Sequence, residues 1–268
     1  MEKKIIQISD LHFGEFRFSE ILKNNLLAQV TRENPDLIII PGDITAQGYV
    51  DEYIKAKEFI SELRSISEVF TVPGNHDACN VGLKHFKRLI GERKFLNNDI
   101  KNRLVIIGLD SSEPDIHDGH IGIDQREWLI KKLRNISEDV RIIVTFHHHL
   151  LPIPQTGRER NILLDAGDIL KILIEYNVDL VLSGHKHVPH TWMLEKLITI
   201  NSGTATTTRL HSYNFPSYNL IQLGEDELKV KKVNTETGIK EDLAYYPLEF
   251  KKRIFKSRMG NMVNGSII

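Results

Sequence analysis

Five short apolar runs in this chain of 268 residues are each followed by side chains that can bind metal ions. The runs lie at residues 5–8, 37–40, 69–72, 142–146 and 180–182. Between them, apolar residues recur at the spacing of an amphipathic helix. Strands that alternate with helices in this way predict an α/β fold, and we expect a sandwich built around two sheets.

The last third of the chain has a different pattern. Strand-like runs occur at 190–202, 218–223 and 227–233, with no clear helix between them. Beyond about residue 239 this pattern is lost in a segment rich in lysine and arginine. We therefore predict one main domain over residues 1–238, which carries the polar clusters. A C-terminal extension over 239–268 would serve as a cap or as a contact between the subunits of a homodimer.

Composition narrows the choice of partners and of compartment. The 35 Lys and Arg residues nearly balance the 36 Asp and Glu residues, so no global positive field would attract nucleic acid or an anionic membrane. The single cysteine, Cys79, cannot form an internal disulfide, which suits a reducing compartment. The apolar run after Lys4 is too short for a signal peptide or a membrane span. We expect a cytoplasmic protein that binds neither membrane nor nucleic acid.

The polar residues that follow the five runs belong to only three types. They are Asp10 and His12, then Asp43, then Asn75, His76 and Asp77, then His147, His148 and His149, and finally His185 and His187. Each cluster alone is explained by turn or helix-cap chemistry, which Asp and Asn favour. Their recurrence after five strands is not explained in that way. Because the carboxyl ends of strands in a helix-covered sheet converge on ligands, we expect these clusters to meet at one edge.

This mixture of donor atoms suits a particular kind of metal site. Carboxylate, imidazole and amide groups without thiolate favour Mn, Fe, Zn or Co over a structural zinc bound by four cysteines. A carboxylate with two oxygens can hold two ions about 3.5–4 Å apart, and water between them becomes a nucleophile near neutral pH. The three consecutive histidines cannot all face this site, because neighbours in an extended chain point to opposite sides. His117 and His120 lie close to Gly119 and Gly122 in a loop, where we expect plain exposure, with contact to a substrate as the alternative.

The clusters resemble the signature of the calcineurin-like metallophosphoesterase superfamily. Its five blocks, D-x-H, G-D, G-N-H-[DE], H and G-H-x-H, occur here in this order between residues 10 and 187. The compact length and the proline-containing loop after the histidine run are most similar to the branch of class III cyclic-nucleotide phosphodiesterases and glycerophosphodiesterases. The resemblance implies an αββα sandwich of two mixed β-sheets flanked by helices, with 1–238 as the catalytic domain and a small C-terminal extension.

The resemblance also implies a role for each block. Two divalent metal ions would be held by Asp10, His12 and His187 on one side, by Asn75, His148 and His185 on the other, and by Asp43 between them. Within the histidine run we take His148 as the ligand from its place after the strand, with His147 as the alternative. His76 would face the substrate, oriented by Asp77 or by a backbone carbonyl.

The activity implied by this resemblance is hydrolysis of a small-molecule phosphodiester, with cyclic nucleotides among the candidate substrates. A hydroxide between the two ions would attack phosphorus, and His76 would protonate the departing alkoxide. One alternative is a nuclease that uses the basic segment from Lys251 to Arg258 as its anchor, against which the near-zero net charge argues. The other is a non-catalytic scaffold with the same fold, against which the complete ligand set argues.

Overall fold

The computed structural model describes residues 2–137, 139–157, 160–210 and 214–248. Within these residues the strands are β1 (Lys3–Gln7), β2 (Leu37–Pro41), β3 (Glu68–Val72), β4 (Phe95–Asp99), β5 (Leu104–Gly108), β6 (Arg141–Thr145), β7 (Leu180–Ser183), β8 (His190–Leu194), β9 (Leu197–Asn201), β10 (Ser217–Leu223), β11 (Glu227–Asn234) and β12 (Lys240–Pro247). The α-helices are α1 (Glu20–Glu33), α2 (Val50–Arg64), α3 (Gly82–Leu89), α4 (Gly122–Leu133) and α5 (Ala166–Glu175).

The strands form two mixed six-stranded sheets. The first sheet has the order β12-β11-β10-β1-β2-β3, and the second has the order β4-β5-β6-β7-β9-β8. Strands β1, β2 and β3 run parallel, as do β5, β6, β7 and β9, while the remaining pairs are antiparallel. The predicted sandwich of two mixed sheets flanked by helices is therefore confirmed.

The central parallel strands β2, β5, β7 and β9 are buried on both faces, which explains the uninterrupted apolar runs in the sequence. Ile39 and Ile221 of the first sheet meet Ile106 and Leu182 of the second in a core between the sheets. The outer face of the first sheet packs on α1, α2 and α3, and that of the second packs on α4 and α5. Among the described residues, no helix is both long and apolar enough to cross a membrane.

The first helix shows how local sequence sets an element's limits. The side chain of Ser19 accepts a hydrogen bond from the backbone of Leu22 at 3.3 Å and so satisfies a free N–H of the first turn. The helix ends at Asn34, which adopts a left-handed conformation with φ of 47°. Its buried face carries Leu22, Leu26 and Val30, spaced four residues apart, as the sequence predicted.

The C-terminal extension predicted from residue 239 needs correction. Residues Lys240–Pro247 form β12, which pairs antiparallel with β11 as the edge strand of the first sheet. The prediction that this part lies outside the catalytic sheet is wrong, because Leu243, Ala244 and Tyr246 pack against the core between the sheets. The part of the extension from residue 249 onward, including its basic segment, lies outside the described residues.

We expect a chain ending at residue 239 to be less stable than a chain ending at 248 by about 2–4 kcal/mol. The shorter chain loses β12 and uncovers the apolar surface that its half-buried side chains protect. Urea unfolding of the two chains measures the difference directly. Equal free energies of unfolding would show that β12 does not support the sheet.

Candidate metal centre

The carboxyl ends of five parallel strands bring all the predicted site residues except His148 together at one edge of the sandwich. The contributions are Asp10 and His12 after β1, Asp43 after β2, Asn75 and His76 after β3, His147 after β6, and His185 and His187 after β7. Three strands belong to the first sheet and two to the second, so the site lies where the sheets meet. The convergence expected from the sequence is thus seen in the structure.

Buried polar side chains join the two sheets directly beneath this site. The Gln7 amide of β1 donates to the carbonyls of Ser183 at 2.9 Å and Ile200 at 3.1 Å in the second sheet. The Asn219 amide of β10 donates to Gln7 Oε1 at 3.1 Å and to the Asn201 carbonyl at 3.0 Å. Because hydrogen bonds are directional, they fix one sheet against the other where apolar contacts alone would let them slide.

Five of the predicted site residues adopt left-handed backbone conformations. The φ angles are 55° at Asp10, 49° at His12, 50° at Asp43, 76° at His185 and 54° at His187. Such angles are uncommon for residues other than glycine, although Asp, Asn and His accept them more readily than most. Their concentration in one site indicates that the surrounding loops hold these side chains in place.

One group of donor atoms is formed by Asp10, His12 and His187. His187 Nε2 lies 3.1 Å from both Asp10 Oδ1 and His12 Nε2, and His12 Nε2 lies 3.8 Å from Asp10 Oδ1. These three side chains are buried, and their donor atoms converge closely enough to share one ion. The family resemblance implied this trio as one ligand set.

A second group surrounds His147. Its Nε2 lies 3.1 Å from Asp43 Oδ2, 3.2 Å from Asn75 Oδ1 and 3.2 Å from His185 Nδ1. Asn75 Oδ1 is also 3.0 Å from His185 Nδ1, so carboxylate, amide and imidazole donors face a common point. The same Oδ2 of Asp43 lies 3.9 Å from His12 Nε2, which places this carboxylate between the two groups.

The structure does not bring His148 into this cluster, contrary to the choice made from the sequence. Its Nδ1 lies 2.8 Å from Ser111 Oγ, and its Nε2 lies 3.1 Å from the His117 carbonyl. Both ring nitrogens are therefore engaged with protein groups outside the cluster. The strand β6 ends at Thr145, and the following turn directs His147 inward instead.

Three imidazoles of the cluster show the hydrogen-bonding pattern of metal ligands. The fourth, His12, differs, because its buried Nδ1 has no hydrogen-bond partner among the described residues. His147 Nδ1 lies 2.7 Å from the Pro41 carbonyl, His185 Nε2 lies 2.8 Å from the Asn161 carbonyl, and His187 Nδ1 lies 2.8 Å from the Arg209 carbonyl. Since a carbonyl only accepts, the nitrogen beside it carries the proton, and in the neutral ring the other nitrogen presents a lone pair to the cluster. Backbone carbonyls fix metal-binding histidines in the same way. The donor set therefore fits divalent cations.

Charge inside the cluster is set by burial and by close partners. Burial opposes ionisation of Asp43, yet the neighbouring His147 and His76 hold the pKa of this carboxyl well below its usual range. Burial works against a charged His147, but the Asp43 carboxylate raises the pKa of this imidazole to about 9. Burial lowers the pKa of His12 to about 3. Negative charge thus collects where a cation would be bound, and burial keeps the His12 imidazole neutral, as a ligand requires.

Asp77 joins the loops that carry Asp43 and Asn75. Its carboxylate accepts hydrogen bonds from the backbone of Ile44 at 3.1 Å, of Thr45 at 2.9 Å and of Gly74 at 2.9 Å. Burial and the charge of Asp43 raise its pKa to about 7, although these hydrogen bonds act in the opposite direction. Asp77 therefore has a structural part in the site and does not contact the imidazole of its neighbour His76.

A backbone carbonyl orients His76. Its Nδ1 lies 2.6 Å from the Ala46 carbonyl and carries the proton of this bond, which leaves Nε2 for other partners. The ring packs edge-on against His12, with centroids 4.7 Å apart, and borders the open cavity over the cluster. Of the two orienting groups expected from the sequence, the carbonyl is the one observed.

Some residues around the site were missed or given no role by the sequence analysis. His117 touches Asn75, and Arg160, Lys186 and Arg209 line the cavity over the cluster. Lys186 stands between the predicted ligands His185 and His187. The loops of the other three residues are distant in sequence, and only the folded chain brings them to the site. The position of His117 close to Gly119 and Gly122 was the one available signal, and it indicates a turn without showing what the turn approaches.

Comparison with known proteins identifies the family. The model of the calcineurin-like phosphoesterases matches residues 3–189 of the chain. The chain therefore belongs to the calcineurin-like phosphoesterase family.

Curated relatives include phosphodiesterases of two kinds. The chain is 25% identical over 264 residues to the 3',5'-cyclic adenosine monophosphate phosphodiesterase of Escherichia coli, which covers 90% of this chain and 93% of the relative. It is 28% identical over 221 residues to a probable glycerophosphodiester phosphodiesterase of Arcobacter nitrofigilis, covering 75% of this chain and 77% of the relative. Both are similar to this chain over most of their length.

Among solved structures, a purple acid phosphatase from yellow lupin seeds superposes with a TM-score of 0.71 at 13% identity. The match covers 93% of this chain and 54% of the plant protein, so this chain spans about half of its length. At this identity the likeness shows the shared fold of two sheets flanked by helices.

Proposed function

We propose that this protein hydrolyses a small-molecule phosphodiester with the help of two divalent metal ions. The observation that carries the proposal is the position of Asp43, whose one carboxylate faces both groups of donor atoms. Asp10, His12 and His187 would hold one ion, and Asn75, His147 and His185 would hold the other. Such a pair of ions supplies Lewis-acid stabilisation of phosphoryl oxygens and lowers the pKa of water.

His147 replaces His148 in this proposal. His147 Nε2 faces Asp43, Asn75 and His185 at 3.1–3.2 Å, whereas His148 uses both nitrogens elsewhere. The role of His148 in the proposal is to support a neighbouring loop through the His117 carbonyl.

His76 is the proposed general acid. Its Nδ1–H donates to the Ala46 carbonyl, a bond that fixes the orientation of the ring. When the second nitrogen also carries a proton, it can give that proton to an oxygen leaving phosphorus. His76 is half-buried at the border of the cavity, where a bound ester would reach it.

The cavity over the cluster suits a small anionic substrate. Its volume is about 350 Å³, within the range of small-molecule sites, and Arg160, Lys186 and Arg209 contribute positive charge to its lining. Relatives named for cyclic nucleotides and for glycerophosphodiesters support a phosphodiester of that size. We place cyclic nucleotides first among the candidates because several of the relatives carry that name.

Further parts of the proposal rest on composition and donor chemistry. Ligands of oxygen and nitrogen without thiolate support Mn, Fe, Zn or Co as the ions. The single cysteine supports a cytoplasmic location, and the balanced net charge of -1 supports a small-molecule substrate over nucleic acid. A homodimer is the proposed assembly.

A substrate panel tests the activity. We expect the Mn-loaded protein to hydrolyse a cyclic nucleotide or a glycerophosphodiester faster than a phosphomonoester or single-stranded DNA, as judged by kcat/KM. Activity should disappear after treatment with a chelator and return on adding Mn or Co, because the ions supply the activated water. Full activity after exhaustive chelation would rule out the proposed chemistry, and a preference for DNA would favour the nuclease.

The choice between the two neighbouring histidines has its own test. His147→Ala should lower the metal content at saturation from two ions to one per chain, because it removes a donor that no neighbour replaces. His148→Ala should retain two ions under the same conditions, since His148 faces Ser111 and the His117 carbonyl. Elemental analysis after gel filtration gives both numbers. Loss of an ion from His148→Ala alone would restore the choice made from the sequence.

His76→Ala should keep both ions and lose rate in a manner that depends on the ester. We expect about a 100- to 10,000-fold loss in kcat/KM with a cyclic nucleotide, whose alkoxide leaves poorly without a proton. The loss should be much smaller with bis-nitrophenyl phosphate, because nitrophenolate needs little help. His85→Ala is the matched control, since His85 pairs with Arg88 on α3.

Equal losses with both esters would point to phosphate binding as the role of His76. Loss of an ion would instead make His76 a ligand, which its proximity to His12 and Asp43 makes a real alternative.

A further inference from the structure

The loop between β5 and α4 places an imidazole against one of the proposed ligands. Asn75 Nδ2 lies 3.2 Å from His117 Nδ1, and the His117 ring lies 6.1 Å from the His76 ring between centroids. His117 borders the same cavity as Asn75 and His76. The loop therefore reaches over the edge of the cluster.

Hydrogen bonds fix the backbone of this loop on two sides. His148 Nε2 donates to the His117 carbonyl at 3.1 Å, and His148 itself is held by Ser111. On the other side, Asp118 Oδ1 accepts from the Ile162 backbone at 2.9 Å. The place of His117 is thus set by the protein and does not depend on a flexible loop.

Glycine at position 119 permits this arrangement. A Cβ atom there would lie 2.4 Å from ring atoms of His148, closer than any real side-chain carbon approaches. The loop can pass over the His148 ring only because residue 119 has no side chain. His148 and Gly119 together bring His117 to Asn75.

The orientation of the Asn75 amide matters because its two ends have opposite chemistry. The oxygen can bind a cation, whereas the NH2 group has no lone pair to offer. Oδ1 faces His147 Nε2 at 3.2 Å and His185 Nδ1 at 3.0 Å, so the NH2 group faces His117. An acceptor at His117 Nδ1 favours this orientation, and a rotated amide would set oxygen and the His117 lone pair against each other.

We infer that His117 is a positioning residue that holds Asn75 with its oxygen toward the ion shared with His147 and His185. In the neutral ring its Nδ1 accepts from Asn75, and its proton resides on Nε2. This inference rests on the metal ligands assigned under the proposed function. It gives a role to a histidine that is exposed, as the sequence predicted.

Calorimetric titration of the metal-free protein with Mn²⁺ tests the inference without any substrate. His117→Ala should weaken the binding of one ion about 10- to 100-fold, the usual effect of removing a group that orients a ligand, and leave the other within about twofold. His117→Gln should recover most of that loss, because its amide oxygen can also accept from Asn75. His120→Ala serves as the control, since His120 lies on the same loop but pairs with Glu113.

A double-mutant cycle separates an effect of His117 on the orientation of the Asn75 amide from a direct contact of His117 with an ion. Asn75→Asp has two equivalent oxygens and no N–H to hold, so adding His117→Ala to it should cost less than about twofold in affinity for either ion. Unfolding in urea checks that each variant is folded before titration.

Three results would overturn the inference: unchanged affinities in His117→Ala, equal weakening of both ions, or a cost that persists in the Asn75→Asp protein. Asn75→Ala separates a failure of the metal-ligand assignment from a failure of the role given to His117. If that variant still binds two ions tightly, the proposed metal centre is wrong. If it loses one ion while His117→Ala loses none, only the role of His117 is wrong.

Discussion

The hydrogen bonds that Gln7 and Asn219 make across the interior align the two sheets, and the metal centre depends on that alignment. Apolar packing between sheets is non-directional and by itself sets no register. Gln7 stands three residues before Asp10, and its partner Ser183 stands two residues before His185. The Asp10 carboxylate then accepts the backbone N–H of His185 at 3.0 Å, which joins the two strand ends at the site itself. Residues from opposite sheets can converge within hydrogen-bond distance only because this register is fixed below them.

The loops above the strands hold a strained backbone, and they do so by binding to one another. A left-handed conformation costs on the order of 1–3 kcal/mol for a residue other than glycine, and five of the site residues adopt one. The backbone N–H of His12 donates to the Asp43 carbonyl at 2.9 Å, and that of Asp10 donates to the Gly42 carbonyl at 3.2 Å. The close approach of these loops also requires glycine at position 74, because a Cβ there would lie 2.2 Å from Asp43 Oδ1. The glycine of the G-N-H-D block is thus required by the carboxylate that faces both groups of donors.

Strand order along the chain was visible in the sequence because buried parallel strands leave uninterrupted apolar runs, and a run that ends shows where its loop begins. The choice between His147 and His148 was not visible in this way. Alternation shows that neighbours face opposite sides, but which side is inward depends on the turn after Thr145. The edge strand β12 was missed because five of its eight residues are exposed and its apolar residues do not alternate regularly with polar ones. The Ala46 carbonyl that orients His76 is a backbone group, and the identity of residue 46 carries no signal of its use.

The histidine run shows that position, and not residue type, decides what an imidazole can do. His147 and His148 are both fully buried, yet the Asp43 carboxylate raises the pKa of His147 to about 9 while burial lowers that of His148 to about 3. A ring that stays neutral is suited to hold Ser111 and the His117 carbonyl in fixed places. A ring beside a carboxylate exchanges its proton for a cation when one is offered, because both satisfy the same negative charge. Because His147 and His148 are adjacent in the chain, a shift of the turn after β6 would displace both rings. The metal centre is therefore coupled to the loop that carries His117.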